Sequence, residues 1–208
     1  MKSPISLYLT KIPSYIPKIF KNIVWHGDRN EKVVYLTFDD GPHPKSTPYI
    51  LDILNKFDVK ATFFCLGQNV ERYPDLFKRI KDEGHQVGNH SYSHLSGWTT
   101  ATNRYLKDIE KANQFIDSKL FRPPYGRITP WQAKKLSTDY RIIMWDIMPG
   151  DFDERLSYDQ IVANLMENVE NGSIIVLHDR NRAETNVEYY LGKIISRIEQ
   201  KGFQLFKL

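Results

Sequence analysis

Only one cysteine, Cys65, occurs in the 208 residues. No intramolecular disulfide can form, and neither a Cys-x-x-Cys pair nor a Cys/His finger spacing can be drawn. Long apolar runs are also missing, and none approaches the roughly 18 residues that a membrane-crossing helix needs. Charge of one sign is scarce: 29 basic residues against 25 acidic leave a net charge of +4. Lys2, Lys11, Lys18 and Lys21 account for that excess, because residues 1–27 hold no acid. A body with balanced charge lacks the basic face that nucleic-acid binding requires, so no nucleic-acid partner is expected. Internal repeats, low-complexity tracts and linkers are absent as well, and the length suits one domain. What is present is apolar: 41% of residues are hydrophobic, with 11 Phe, 12 Tyr and 4 Trp, enough to build a core and to exclude disorder.

Short runs rich in β-branched and aromatic residues alternate with longer segments whose apolar residues recur at three and four. The strand-like runs are Val33–Phe38, Ala61–Leu66, Gln86–His90, Leu120–Arg122, Arg141–Asp146, Ser173–His178 and Phe203–Phe206. Helices are expected from Ser46, whose hydroxyl would cap ahead of Pro48, then over Tyr73–Glu83, Thr102–Ser118, Pro130–Ser137, Tyr158–Asn168 and Asn186–Gln200. Alternating β and α elements make a parallel sheet covered by helices, and the unbroken run Ile174-Ile175-Val176-Leu177 suits a strand buried on both faces. Seven units point to a closed or nearly closed barrel, with an open doubly wound sheet as the alternative.

Residues 1–27 are read as a basic, apolar arm and residues 28–208 as one folded domain. Pro4, Pro13, Pro17 and Lys11 interrupt the stretch of about 7 to 15 apolar residues that a secretion signal would need, which gives a cytoplasmic expectation. Residues 1–25 interleave lysines with apolar side chains and suit an anionic membrane surface. The favoured expectation is instead that they pack as an arm across the barrel bottom, because three prolines prevent one long amphipathic helix. A monomer is expected.

Chemistry-bearing residues gather where strands are expected to end. Thr37-Phe38-Asp39-Asp40-Gly41 places adjacent carboxylates after an apolar strand, where a cation or proton must offset their repulsion; a solvated Asp-Gly turn is the plain alternative. His90-Ser91-Tyr92-Ser93-His94 brings its imidazoles to one side if the loop winds into a helical turn, and two histidines with a carboxylate are a common ligand set for a catalytic divalent metal. Arg122-Pro123-Pro124-Tyr125-Gly126 is a stiff loop that could fix the arginine beside a partner, or simply a rigid turn. Leu177-His178-Asp179, Trp145-Asp146 and Asp151-Phe152-Asp153 add a histidine and acids, with structural hydrogen bonding or a solvated loop as alternatives. In a parallel barrel all these strand ends share one face.

The ordered set TFDDG, HSYSH, RPPYG, GDF and LHD resembles the polysaccharide deacetylases of carbohydrate esterase family 4, the NodB homology domain, over about residues 32–208. That resemblance implies a distorted (β/α)7 barrel and one divalent metal, usually zinc. It also implies hydrolysis of N-acetyl groups on an N-acetylated carbohydrate. By the same resemblance Asp40, His90 and His94 are the metal ligands, Asp39 the general base, Arg122 the residue that orients it, and Tyr125 the donor of a backbone N–H at the oxyanion. His178 would be the general acid, Asp151 its partner, and Leu177, Phe152 and Pro124 substrate contacts. Phe152 departs from the family's usual Trp and leaves the acetate pocket wider; Met148 and Pro149 stand where polar residues are common. The rival within enzymes is a deacylase or deformylase of a small or lipid-linked amino sugar. A catalytically silent carbohydrate-binding module is the rival from another class.

Overall fold

The computed structural model describes residues 8–180 and 187–208. The arm residues before Tyr8 and the expected helix start at Asn186 lie outside them. Seven strands, β1 Val33–Asp39, β2 Thr62–Cys65, β3 Gln86–Asn89, β4 Leu120–Phe121, β5 Arg141–Ile142, β6 Ile174–His178 and β7 Gln204–Phe206, pair in the order β5-β4-β3-β2-β1-β6, with β7 alongside the first half of β1. Every pairing is parallel. Between β5 and β6 the wall is completed by irregular chain: Val24 bridges Ile143, His26 bridges Ser173 and Ile147 bridges Ile175. The architecture is a distorted (β/α)7 barrel. β5 is shorter than the expected Arg141–Asp146 because Met144 N–H already bonds to Val24 and Asp146 N–H to Ile174, so no single ladder continues.

The helices are α1 Ile16–Ile19, α2 Ser46–Lys56, α3 Gly67–Arg72, α4 Pro74–Asp82, α5 Thr102–Ile116, α6 Pro130–Leu136, α7 Tyr158–Asn168 and α8 Val187–Gln200. α6 and α7 open on capping boxes, Thr129 with Gln132 and Ser157 with Gln160, which satisfy backbone N–H groups that a helix start leaves unpaired. α2 does not use the expected hydroxyl cap: its first two hydroxyls, Ser46 and Thr47, donate to the buried carboxylate of Asp179.

Period-two alternation along the strands sorts their side chains. Leu36 and Phe38 join a large core with Leu51, Leu54, Ile194 and Ile198, between sheet and helices. Thr37 and Asp39 point the other way, towards the Arg122 guanidinium. The arm runs along the gap between β5 and β6. Ile12 N–H bonds to the Asp146 carbonyl, and Met148 N–H to that of Thr10. Tyr15, Ile19 and Phe20 remain exposed, whereas Ile23 is buried.

Asp146 corrects one sequence reading. It does not join the other acids at the strand ends that carry chemistry. Its side chain accepts from Ile174 N–H at 2.8 Å, at the opening residue of β6, and is neutralised there by Lys11 at 3.1 Å and Arg29 at 2.8 Å. A buried carboxylate held by two cations and a backbone donor is a structural anchor.

Candidate active site

At the carboxyl end of β1 the chain leaves the sheet through Asp39 and Asp40, and the two acids part company. Asp39 keeps strand geometry and its Oδ1 lies 2.7 Å from the Arg122 guanidinium. Asp40 adopts a positive φ of 77°, which turns its carboxylate towards His90 and His94. The turn is held from several sides. Asn69 donates to the Asp40 carbonyl at 2.8 Å, Asp179 N–H to the Asp39 carbonyl at 2.7 Å, and Gly41 has no room for a side chain because its Cβ would lie 2.2 Å from the Asp179 carboxylate.

The histidines come from the end of β3. The loop does not wind into a helical turn; Ser91 and His94 take positive φ instead, and the irregular loop still brings the rings to 5.1 Å between centroids. Asp108 on α5 anchors the loop by accepting from Tyr92 N–H, Ser93 N–H and the Ser93 hydroxyl. His90 is buried, and its Nδ1–H donates to the Arg122 carbonyl at 2.8 Å, which leaves Nε2 facing Asp40 at 3.6 Å. His94 Nε2 lies 3.2 Å from Asp40 Oδ1, off a hydrogen-bonding line, so that buried oxygen has no hydrogen-bond partner. Burial alone would raise the Asp40 carboxyl, but His94, His178 and His90 hold it well below the usual carboxylate range. Burial pushes the His90 imidazole down, towards its neutral form. One ligand atom from each residue falls within 4.8 Å of the others. An ionised carboxylate with an unpartnered oxygen, facing two imidazole nitrogens, is a donor set that fits a divalent cation and leaves coordination positions open.

Arg122 organises the barrel interior above β4. It is fully buried, donates to Asp39 and Thr37 at 2.7 Å each and to the Met144 carbonyl at 2.9 Å, and lies 4.1 Å from the Phe64 ring centroid. The following turn bonds Gly126 N–H to Pro123 and Arg127 N–H to Pro124; Pro124 is buried, and Tyr125 between them is held at φ 59° with its ring 4.4 Å from that of His94. Four of the six non-glycine residues with positive φ among those described are Asp40, Ser91, His94 and Tyr125. Such strain persists where surrounding structure over-determines the backbone, as at functional sites.

His178 ends β6 and stands across from these groups. Asp151 grips it twice, accepting from its backbone N–H at 2.6 Å and from Nδ1 at 2.9 Å, which leaves Nε2 free. Burial opposes the imidazolium, but the Asp151 carboxylate, together with Asp40 and Asp39, more than offsets it and the pKa rises to about 9. Phe152 lies edge-on to His178 at 5.2 Å.

Asp39, Asp40, His90, His94, Arg122, Tyr125, Asp151, Phe152 and His178 are thus brought to one end of the barrel. Leu177 is not. It pairs in register with Phe38 and packs with it in the core beneath the helices, because alternation sends it to the opposite face of β6 from His178. Val176 shares the His178 face instead. Sequence reasoning also missed the groups that hold the site: Asn69, Thr37, Asp108 and Asp179. Thr37 and Asp179 are legible only as the first letter of TFDDG and the last of LHD, and Asn69 and Asp108 carry no local signal.

Known proteins resemble this chain over most of its length. The family model for polysaccharide deacetylase matches residues 26–141. The peptidoglycan-N-acetylglucosamine deacetylase of Bacillus cereus is 32% identical over 189 residues, covering 88% of this chain and 89% of that protein. The peptidoglycan-N-acetylmuramic acid deacetylase PdaC of Bacillus subtilis is 36% identical over 184 residues, covering 86% of this chain and 38% of that longer protein. A crystal structure of a peptidoglycan N-acetylglucosamine deacetylase superposes with a TM-score of 0.86 at 35% identity, covering 95% of both chains. This chain is a member of the polysaccharide deacetylase family.

Proposed function

We propose that the protein is a metal-dependent hydrolase that removes N-acetyl groups from N-acetylglucosamine-type sugars in a polysaccharide, with peptidoglycan as the first substrate to test. The observation that carries this reading is the pairing of opposite roles across one site, a carboxylate pinned by a buried arginine on one side and an imidazole charged by its own carboxylate on the other. In this reading residues 28–208 are the catalytic domain and residues 1–27 an accessory arm.

Asp40, His90 and His94 would hold the metal, zinc being the first choice for two nitrogens and an oxygen. The ion supplies Lewis acidity, which acidifies water and polarises an amide carbonyl. Asp39 accepts the proton of the water whose oxygen bonds to the acetyl carbon; Arg122 holds Oδ1, so Oδ2, 4.0 Å from His90 Nε2, is the oxygen that takes it. The Tyr125 N–H is the candidate donor to the oxyanion, an interaction whose loss costs about 3 to 4 kcal/mol where it has been measured. His178 then gives its Nε2 proton to the amine as the C–N bond breaks, so acetate and a free amino sugar leave. Asp151 keeps His178 charged for that step.

The test is acetate release from peptidoglycan and from N-acetylglucosamine oligomers by zinc-loaded protein, with chelated protein as the control. Metal-dependent release supports the reading. No release from any N-acetylated sugar by protein that carries metal would overturn it.

A further inference from the structure

The rim beside His94 carries a surface that the chemistry above does not use. The exposed Arg127 guanidinium lies 5.6 Å from the ring centroid of Tyr125 and 5.4 Å from that of Trp98, and Tyr125 in turn meets the His94 ring. Both aromatic residues are largely exposed, Tyr125 at 59% and Trp98 at 64%. Two large exposed rings that flank one guanidinium form a patch suited to contact.

These groups are held as one piece. Trp98 Nε1–H donates to the Ile128 carbonyl at 3.3 Å, Gly97 N–H to the Arg127 carbonyl at 3.0 Å, and the Gln132 amide to the Gly97 carbonyl at 3.0 Å. Gly97 is obligatory for this contact, since a Cβ there would lie 2.5 Å from the Arg127 carbonyl. Among the described residues no carboxylate is in ion-pair contact with Arg127. A guanidinium flanked by two rings, with its planar donors unclaimed, is pre-organised for a carboxylate, which it can hold by two parallel hydrogen bonds.

We propose that Trp98, Tyr125 and Arg127 form a subsite for the sugar next to the one being deacetylated, and that Arg127 makes it selective for a unit that bears a carboxylate. The aromatic rings stack on the apolar face of a pyranose, and Arg127 between them reads the acid. The assignment of "next to" rests on the deacetylase reading above; the carboxylate preference does not.

Two short glycans of alternating N-acetylglucosamine and muramic acid distinguish these claims, one with the lactyl acid free and one with it converted to the carboxamide. Calorimetry on zinc-loaded protein carrying Asp39→Asn measures binding without turnover. Protein with native Asp39 gives kcat/KM. The acid form is expected to be preferred about fivefold at low salt, the size of a solvent-accessible ion pair, and less as salt is raised. Arg127→Gln removes that preference, and Trp98→Ala weakens both glycans. Equal binding of the two glycans, binding of neither, or a preference that survives Arg127→Gln overturns the subsite. An acid preference in binding, with no acetate release from these glycans or from any other N-acetylated sugar, leaves the subsite standing and removes the deacetylase reading. Release from both glycans alike does the reverse.

Discussion

Replacing Arg122 by Met tests the central electrostatic arrangement. The guanidinium is fully buried and makes hydrogen bonds to Asp39, Thr37 and the Met144 carbonyl while lying against Phe64. Methionine fills much of that volume but leaves the Asp39 carboxylate buried without its cation and strands a backbone carbonyl. Breaking one partner of a buried ion pair costs about 3 to 5 kcal/mol, which for a chain of this size lowers the melting temperature by about 10 °C. Asp39→Asn is milder, because the amide oxygen still accepts from Arg122. The double variant should lose at least about 2 kcal/mol less than the sum of the two single losses, since no charge is then left alone. Urea unfolding of all four proteins in chelator gives the cycle, provided the m-values agree. If Arg122→Met does not fold, Arg122→Lys supplies the corner: a point charge can reach Asp39 but cannot serve Thr37 and Met144 in the same plane. Single losses that add within about 0.5 kcal/mol would refute the coupling and reduce Arg122 to a space-filling residue.

Asp40→Asn and His90→Ala should each weaken zinc uptake by at least about tenfold, while Asp39→Asn should leave it nearly unchanged; equal loss at Asp39 would show that both acids are ligands. Asp151→Asn should move the alkaline limb of the pH–rate profile down by about one unit, because Asp151 has the largest effect of the three carboxylates, with Asp40 and Asp39, that raise His178 to about 9. The same pair should stabilise the native chain fully below about pH 6.5 and lose that contribution as pH rises through about 9, so urea midpoints of parent and variant should converge at high pH. Burial lifts the Asp179 carboxyl to about 7 although Ser46 and Thr47 donate to it. Wild-type stability should therefore fall relative to Asp179→Asn between about pH 4 and 7, and thermal shifts that run parallel across that range would contradict it.

How far the sequence reveals this protein depends on the range over which each signal acts. α7 is legible to the residue because its apolar spacing and its Ser157 to Gln160 box are local. The candidate ligand cluster is legible because Asp40 and the His90 to His94 pair sit in short motifs at strand ends. α3 is missed, since a six-residue helix starting at Gly67 has too little periodicity to register. Leu177 is misassigned by a single step: motif proximity to His178 suggests the pocket, but a strand reverses its face at every residue. Asp146 is misplaced because its neighbours in sequence are strand residues, whereas its partners Lys11 and Arg29 come from the distant arm and the turn before β1.

The same limit governs the one motif that departs from the family pattern. Read locally, Phe152 in place of an indole leaves space beside His178. In the folded chain Tyr8 from the arm fills against it, with ring centroids 4.7 Å apart, and Phe152 keeps its edge contact with His178 at 5.2 Å. Gly150 is the backbone condition for this, because a Cβ there would lie 2.1 Å from the Tyr8 hydroxyl. The small side chain, the missing side chain and the arm therefore form one packing unit in which each makes room for or supports the next. Removing the arm would accordingly be felt at His178 through Phe152, by loss of a supporting ring rather than of any reacting group.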